Sequence, residues 1–154
     1  MEQKISIREA REEDLVSILE LYKDLHESDD PLPDDSELKC IWKEILENPL
    51  LKYYVLMYEG EVVSTCALSI ILNLTRGARP YGVIENVVTQ NKHQGKGFGT
   101  ALLTYVLKIS WELNCYKVML LTSRKEERIF KFYENLGFER GVKTGFIKYS
   151  DDRP

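Results

Sequence analysis

The sequence predicts an α+β fold built on a mixed β-sheet, and two observations carry that expectation. Short apolar or alternating segments read as strands, and longer segments repeat apolar residues at helical spacing. They come in the order strand, two helices, three strands, helix, strand, helix, then one or two strands.

The elements follow in turn. Ile5-Ser6-Ile7-Arg8 alternates as a short strand, and Leu15, Ile18, Leu19, Tyr22 and Leu25 line one face of a first helix. Asp34 and Glu37 have capping-box spacing at the start of a second helix, with Leu38, Ile41, Trp42 and Ile45 as its stripe and Pro49 marking its end. Residues 53–58 and 61–72 are strands joined by a tight turn at Glu59-Gly60, and a loop over 73–80 leads to a third long strand over 81–89. Leu102, Val106, Ile109 and Leu113 then recur at helical spacing ahead of the β-rich segment 117–121. Ile129, Phe132, Tyr133 and Leu136 stripe a last helix, and a final strand is expected near Phe146-Ile147-Lys148-Tyr149.

A chain of 154 residues with 44% hydrophobic content buries one good core, so residues 1–154 are read as a single domain. The net charge of −4 argues against general nucleic-acid binding. No apolar run is long enough to span a bilayer, which argues against a membrane partner. The start Met1-Glu2-Gln3-Lys4 lacks the hydrophobic core of a signal peptide, so a cytoplasmic protein is expected. Cys40, Cys66 and Cys115 are odd in number, widely spaced and set in apolar segments; packing is expected of them, not a disulfide framework. His26 and His93 stand apart from each other and from any cysteine pair, so no metal site is expected, and His93 is read as a surface residue of a loop.

The most informative stretch is Gln94-Gly95-Lys96-Gly97-Phe98-Gly99-Thr100. Its three glycines leave backbone N–H groups uncovered where a long amphipathic helix begins, which is the chemistry of an anion cradle suited to a pyrophosphate. Two familiar glycine motifs fail here. A dinucleotide fingerprint needs glycine or alanine where Thr100 or Leu102 sits, and a phosphate-binding Walker loop needs glycine where Gln90 sits.

The pattern that remains, Gln94-x-x-Gly97-x-Gly99-x-Ala101, resembles the pyrophosphate-binding motif of the GNAT acetyltransferase superfamily. Phe130-Lys131-Phe132-Tyr133-Glu134-Asn135-Leu136-Gly137-Phe138 is similar to a second segment of that superfamily, at its usual separation from the loop. The element order matches from Ile5 to Tyr149. The resemblance implies a GNAT-like, mostly antiparallel sheet flanked by about four helices, with acetyl-CoA as co-substrate and no metal. It implies a primary amine on a small molecule or peptide as acceptor, and it allows a homodimer through terminal strands.

Acetyl transfer to an amine makes three demands. An amine of lysine-like pKa must lose a proton, costing about 4.6 kcal/mol at pH 7; the oxyanion needs a preorganised donor; the thiolate leaving group benefits from an acid. The resemblance assigns the acid to Tyr133, although from spacing alone Tyr133 is a packing residue of the helix stripe. Glu85 is a carboxylate in an otherwise apolar strand, expensive unless solvated or partnered. It is the candidate base, or else a substrate contact or a partner of Arg76 or Arg79. The backbone of Val87, Val88 and Thr89 is the expected partner of the thioester and pantetheine arm, which offers amides at peptide-like spacing. Gln94, Gly95, Lys96, Gly97, Phe98, Gly99 and Thr100 are expected to hold the pyrophosphate, with Gln94 supplying a donor where arginine is more usual. Ser123, Arg124 and Phe130 are further candidate coenzyme contacts.

The acceptor is less determined. Glu27, Asp29, Asp30, Asp34, Asp35 and Glu37 form an acidic run that either steers a cationic amine or serves capping and solubility. A narrower resemblance links Ile84-Glu85-Asn86-Val87-Val88, Gly95-Lys96, Cys115-Tyr116-Lys117-Val118 and Phe132-Tyr133-Glu134 to glucosamine-6-phosphate N-acetyltransferases, with Arg76, Arg79 and Lys143 as cations for a phosphate. A non-catalytic acyl-CoA sensor is the remaining alternative, and the presence of both Glu85 and Tyr133 argues against it.

Overall fold

Glu59 and Gly60 both take positive φ, +52° and +86°, and this two-residue turn joins β2 (Leu51–Tyr58) to β3 (Glu61–Ile71), in keeping with the right-handed twist of paired strands. The computed structural model describes residues 5–151. β1 (Ile5–Glu9), β2, β3 and β4 (Tyr81–Thr89) are antiparallel neighbours in that order, and β5 (Val118–Leu120) pairs with β4 in parallel. The sheet is therefore mixed and mostly antiparallel.

The chain divides into two compact units, Met1–Leu120 and Leu121–Pro154. In the first, α1 (Leu15–Leu25) and α2 (Asp35–Glu47) cover one face of the sheet, where Ala10, Ile18, Trp42 and Val55 form a buried cluster. Asp34 caps α2, its Oδ1 accepting from the Ser36 and Glu37 amides at 2.9 and 3.1 Å. Thr75–Ala78 (α3) is one turn in which Arg76, Gly77 and Ala78 are left-handed, consistent with the loop expected over 73–80. α4 (Phe98–Glu112) lies on the opposite face, with Leu102, Leu103 and Val106 fully buried. The rings of consecutive residues report the two faces: Tyr53 packs edge-on to Trp42 of α2, Tyr54 to Tyr105 of α4. Gly82 is hemmed in by its strand neighbours and by α4: a Cβ there would stand 3.1 Å from Leu68, 3.3 Å from Val118 and 3.7 Å from Ser110 Oγ of α4.

The second unit holds α5 (Glu127–Glu134), and three expectations fail. No strand forms near 146–149; Phe146 and Ile147 are exposed in irregular chain, because β-propensity alone does not make a strand without a pairing partner. In the first unit, Ile41 and Leu113 leave their stripes for solvent. Leu38, Trp42, Ile45 and Leu46 cover the sheet side of α2, and Cys40 faces outward while Cys66 and Cys115 are buried.

One ion pair ties β1 to the turn before α1. Arg8 donates to both oxygens of Asp14 at 2.6 and 3.0 Å, and the Arg11 amide adds a third bond at 2.7 Å. Burial pushes the Asp14 carboxyl up, but the Arg8 hydrogen bonds and the Arg11 amide outweigh it and hold it below its ordinary value. Asp14→Asn should cost about 2–3 kcal/mol by chemical denaturation at pH 7. A carboxyl lowered in the folded state stabilises fully above about pH 4 and loses that contribution as pH falls through its folded value. The gap between the two proteins should therefore close in acid.

Candidate active site

β4 runs straight into the glycine loop. After Thr89 comes a short 3-10 turn, Asn91–His93, and α4 begins at Phe98 with Gly97 as its N-terminal cap at φ +82°. Gly95 is also left-handed, at +76°, and a Cβ at either glycine would meet nothing within 4 Å. Backbone conformation, not crowding, requires glycine there. Because the cap has no side chain, none covers the first-turn amides of α4, among them those of Gly99 and Thr100, and the helix dipole adds to their positive potential. The space above the loop, its uncovered donors and Lys96 fit a pyrophosphate.

Two loop residues differ in detail from expectation. Phe98 is buried and stacks with Tyr58 and His93 at 4.9 and 5.8 Å, so its side chain anchors the start of α4 and only its backbone faces the loop. His93 is half-buried beside Tyr58, with Nδ1 3.1 Å from Lys96 Nζ. Burial, then the Lys96 and Lys92 charges, lower its pKa, which favours the neutral ring that accepts from Lys96.

The second feature is an open strand edge. β4 pairs with β5 only over Gly82–Ile84, and from Glu85 to Thr89 that edge has no strand partner among the described residues. The Val88 carbonyl faces β3, where Ser64 Oγ donates to it at 3.0 Å. Alternation along the strand therefore turns the Thr89 N–H and the Val87 carbonyl toward the open edge. The Thr89 carbonyl, on the same edge, accepts from Gln94 Nε2 at 3.3 Å. One donor and one acceptor at strand spacing fit an extended chain of amides.

Glu85 sits where this edge begins. Its cross-strand neighbours are Ala67 and, beyond that, Tyr53, so its side chain shares the face covered by α1 and α2. It is exposed, which removes the burial cost anticipated for a carboxylate in this strand. Among the described residues it forms no ion pair with Arg76 or Arg79; Arg79 instead donates to the carbonyls of Asn114 and Cys115 at 3.3 and 3.2 Å. Next to Glu85 the register slips: Asn86 and Val87 together oppose Cys66, and Asn86 takes φ +53°. This bulge re-aims the strand at the point where its pairing with β5 stops.

In the second unit, Tyr133 is half-buried in α5, its ring edge-on to Phe132 and Phe138 at 5.0 and 5.9 Å. Phe130 carries the Arg140 guanidinium 4.6 Å over its ring, and Ser123 and Arg124 are exposed in the irregular segment before the helix. The acidic run is largely local: Asp34 caps α2, and Asp29 Oδ1 accepts from the Asp30 amide at 2.8 Å. Among the described residues no three His, Cys, Asp or Glu side chains are grouped to hold a metal, and no helix is long and apolar enough to cross a membrane.

Sequence reasoning missed two groups. The Tyr22 hydroxyl is buried beside the Tyr53 hydroxyl and the Asn86 side chain but meets hydrogen-bond geometry with neither. Asp24, also on α1, bonds to the turn before the glycine loop. A polar Asn86 in an apolar strand, of a residue type tolerant of left-handed backbone, was the one available signal for the bulge.

A model of the acetyltransferase (GNAT) family matches residues 15–138. The chain is 34% identical, over 134 residues, to the glucosamine 6-phosphate N-acetyltransferase of Trypanosoma brucei brucei, covering 87% of this chain and 88% of that one. The solved structure of an inferred acetyltransferase from Agrobacterium tumefaciens str. C58 is 41% identical, with a TM-score of 0.87 over 94% of this chain and 99% of the other. A Trypanosoma brucei acetyltransferase structure is 32% identical, with a TM-score of 0.79 over 95% and 100%. The chain belongs to the GNAT acetyltransferase family, whose members use acetyl-CoA, and it is an N-acetyltransferase.

An orphaned buried hydroxyl carries a desolvation cost of about 1–3 kcal/mol. Tyr22→Phe, which keeps the ring, should therefore leave the melting temperature unchanged or raise it. A clear fall would mean that the hydroxyl has a bonding partner in solution.

Proposed function

We propose that the protein is a single catalytic domain that transfers the acetyl group of acetyl-CoA to the amine of glucosamine 6-phosphate. The 34% identity extending over nearly the whole of both chains to an enzyme of that name carries this reading. Acetyl-CoA supplies the activated thioester. The chain's own part is to hold it, to place the amine, and to move two protons.

The backbone amides of the glycine loop and the α4 start, with Lys96, hold the pyrophosphate. The Thr89 N–H and Val87 carbonyl hold the pantetheine amides along the open edge of β4. Glu85, exposed at the start of that edge, takes the proton of the attacking amine, directly or through water. Tyr133 donates a proton to the departing sulfur. Arg76 and Lys143 are the cations for the sugar phosphate, since the Arg79 guanidinium is engaged by backbone carbonyls. Cys40, Cys66 and Cys115 are free thiols, which suits the reducing cytoplasm.

A thiol-release assay comparing glucosamine 6-phosphate with glucosamine tests the acceptor. The phosphorylated sugar should have a kcat/KM about 100-fold higher, equivalent to about 2.7 kcal/mol and typical of a charge-assisted contact; equal values would sink the reading. In the same assay Glu85→Gln should lower kcat about 10²–10⁴-fold at unchanged KM, whereas a rise in KM alone would make Glu85 a binding residue. Tyr133→Phe should slow turnover and alter its alkaline limb; full activity at every pH would remove the acid role.

A further inference from the structure

Asp24 occupies the last turn of α1, where the helix dipole opposes a carboxylate. It is held there by a residue 67 positions away: Asn91 donates its backbone N–H to Oδ2 at 2.9 Å and its side-chain Nδ2 to Oδ1 at 3.0 Å. Asn91 belongs to the turn that leads from β4 into the glycine loop.

A carboxylate only accepts hydrogen bonds, and this sets the polarity of everything beyond it. Asn91 must turn its NH2 group toward α1, which leaves its Oδ1 facing Gln94. Gln94 must then present its own NH2 group, and Nε2 donates to Asn91 Oδ1 at 3.0 Å and to the Thr89 carbonyl at 3.3 Å. An amide nitrogen has two hydrogens, and both are engaged. Gln94 has no donor left for a phosphate, and its free Oε1 would be repelled by one.

We propose that Asp24 is a positioning residue for coenzyme binding: through Asn91 and Gln94 it braces the end of β4 against the entry to the glycine loop. Gln94 is a strut of that brace, and the phosphate falls to Lys96 and the backbone amides. The inference rests on the acetyl-CoA reading above and is independent of which amine is acetylated.

Calorimetric titration of CoA into the full chain, without acceptor and at low and high salt, tests it. A purely electrostatic role makes the opposite prediction, because removing a carboxylate near an anion site tightens anion binding. Asp24→Ala should instead weaken CoA binding about tenfold at both salt concentrations, with Asp24→Asn intermediate. Asn91→Ala, on the exposed turn, should reproduce the loss without altering α1. The double variant Asp24→Ala/Gln94→Ala should bind about as weakly as the weaker single one, as expected of one coupled network. Unchanged or tighter binding in the Asp24 variants, or losses that simply add, would overturn the brace. CoA binding and turnover by the unaltered protein score the functional reading separately.

Discussion

β5 stops at Leu120, while β4 continues for five residues past Ile84, the last one paired with it. That mismatch is the constraint on which the rest of the site depends. An unpaired strand edge is ordinarily a liability, because its donors and acceptors invite another chain. Here the edge is short and set off by the Asn86 bulge, and its far end is closed by Gln94 on the Thr89 carbonyl. What stays available is a donor and an acceptor at strand spacing, directly before a helix start whose first-turn amides no cap side chain covers. In the function proposed above, an extended molecule with amides at one end and phosphates at the other would meet both in a single run of chain from Val87 to Thr100.

The two ends of this run are stabilised by different means. At the loop, Phe98 is sunk into a cluster with Tyr58 and His93, so that the first turn of α4 is fixed by aromatic packing while its amides stay uncovered. At the strand, polar side chains set the geometry: Ser64 on the Val88 carbonyl from one side and Gln94 on the Thr89 carbonyl from the other. α1 touches both the β4 bulge and the turn before the glycine loop, since Tyr22 lies beside Asn86 and Asp24 accepts from Asn91. Substitutions on this helix can therefore reach the entry to the glycine loop without altering the loop itself.

Much of this was legible in the sequence where the cause is local. The limits of β4, the Glu59-Gly60 turn, the Asp34 cap and the left-handed Gly95 and Gly97 follow from residue types acting on their own backbone. Features that need a distant partner were not legible. The segment 146–149 has a strand's composition and no strand, since pairing is a property of the neighbour. Ile41 and Leu113 keep helical spacing yet fall off the covered face. Gln94 reads as a phosphate donor by motif, and only the Asp24–Asn91 contact reveals where its hydrogens point. Glu85 was flagged by an anticipated burial cost and turns out to be exposed, so its position at the head of the open edge, not desolvation, is what distinguishes it.

The open edge of β4 is tested most directly by amide hydrogen exchange, resolved by residue, with and without CoA. The Thr89 N–H, which faces the open edge, should exchange at least about tenfold more slowly when CoA is bound, while the Val88 N–H, already turned toward β3, should change little. Protection confined to the glycine loop, with Thr89 exchanging at its unliganded rate, would contradict the account.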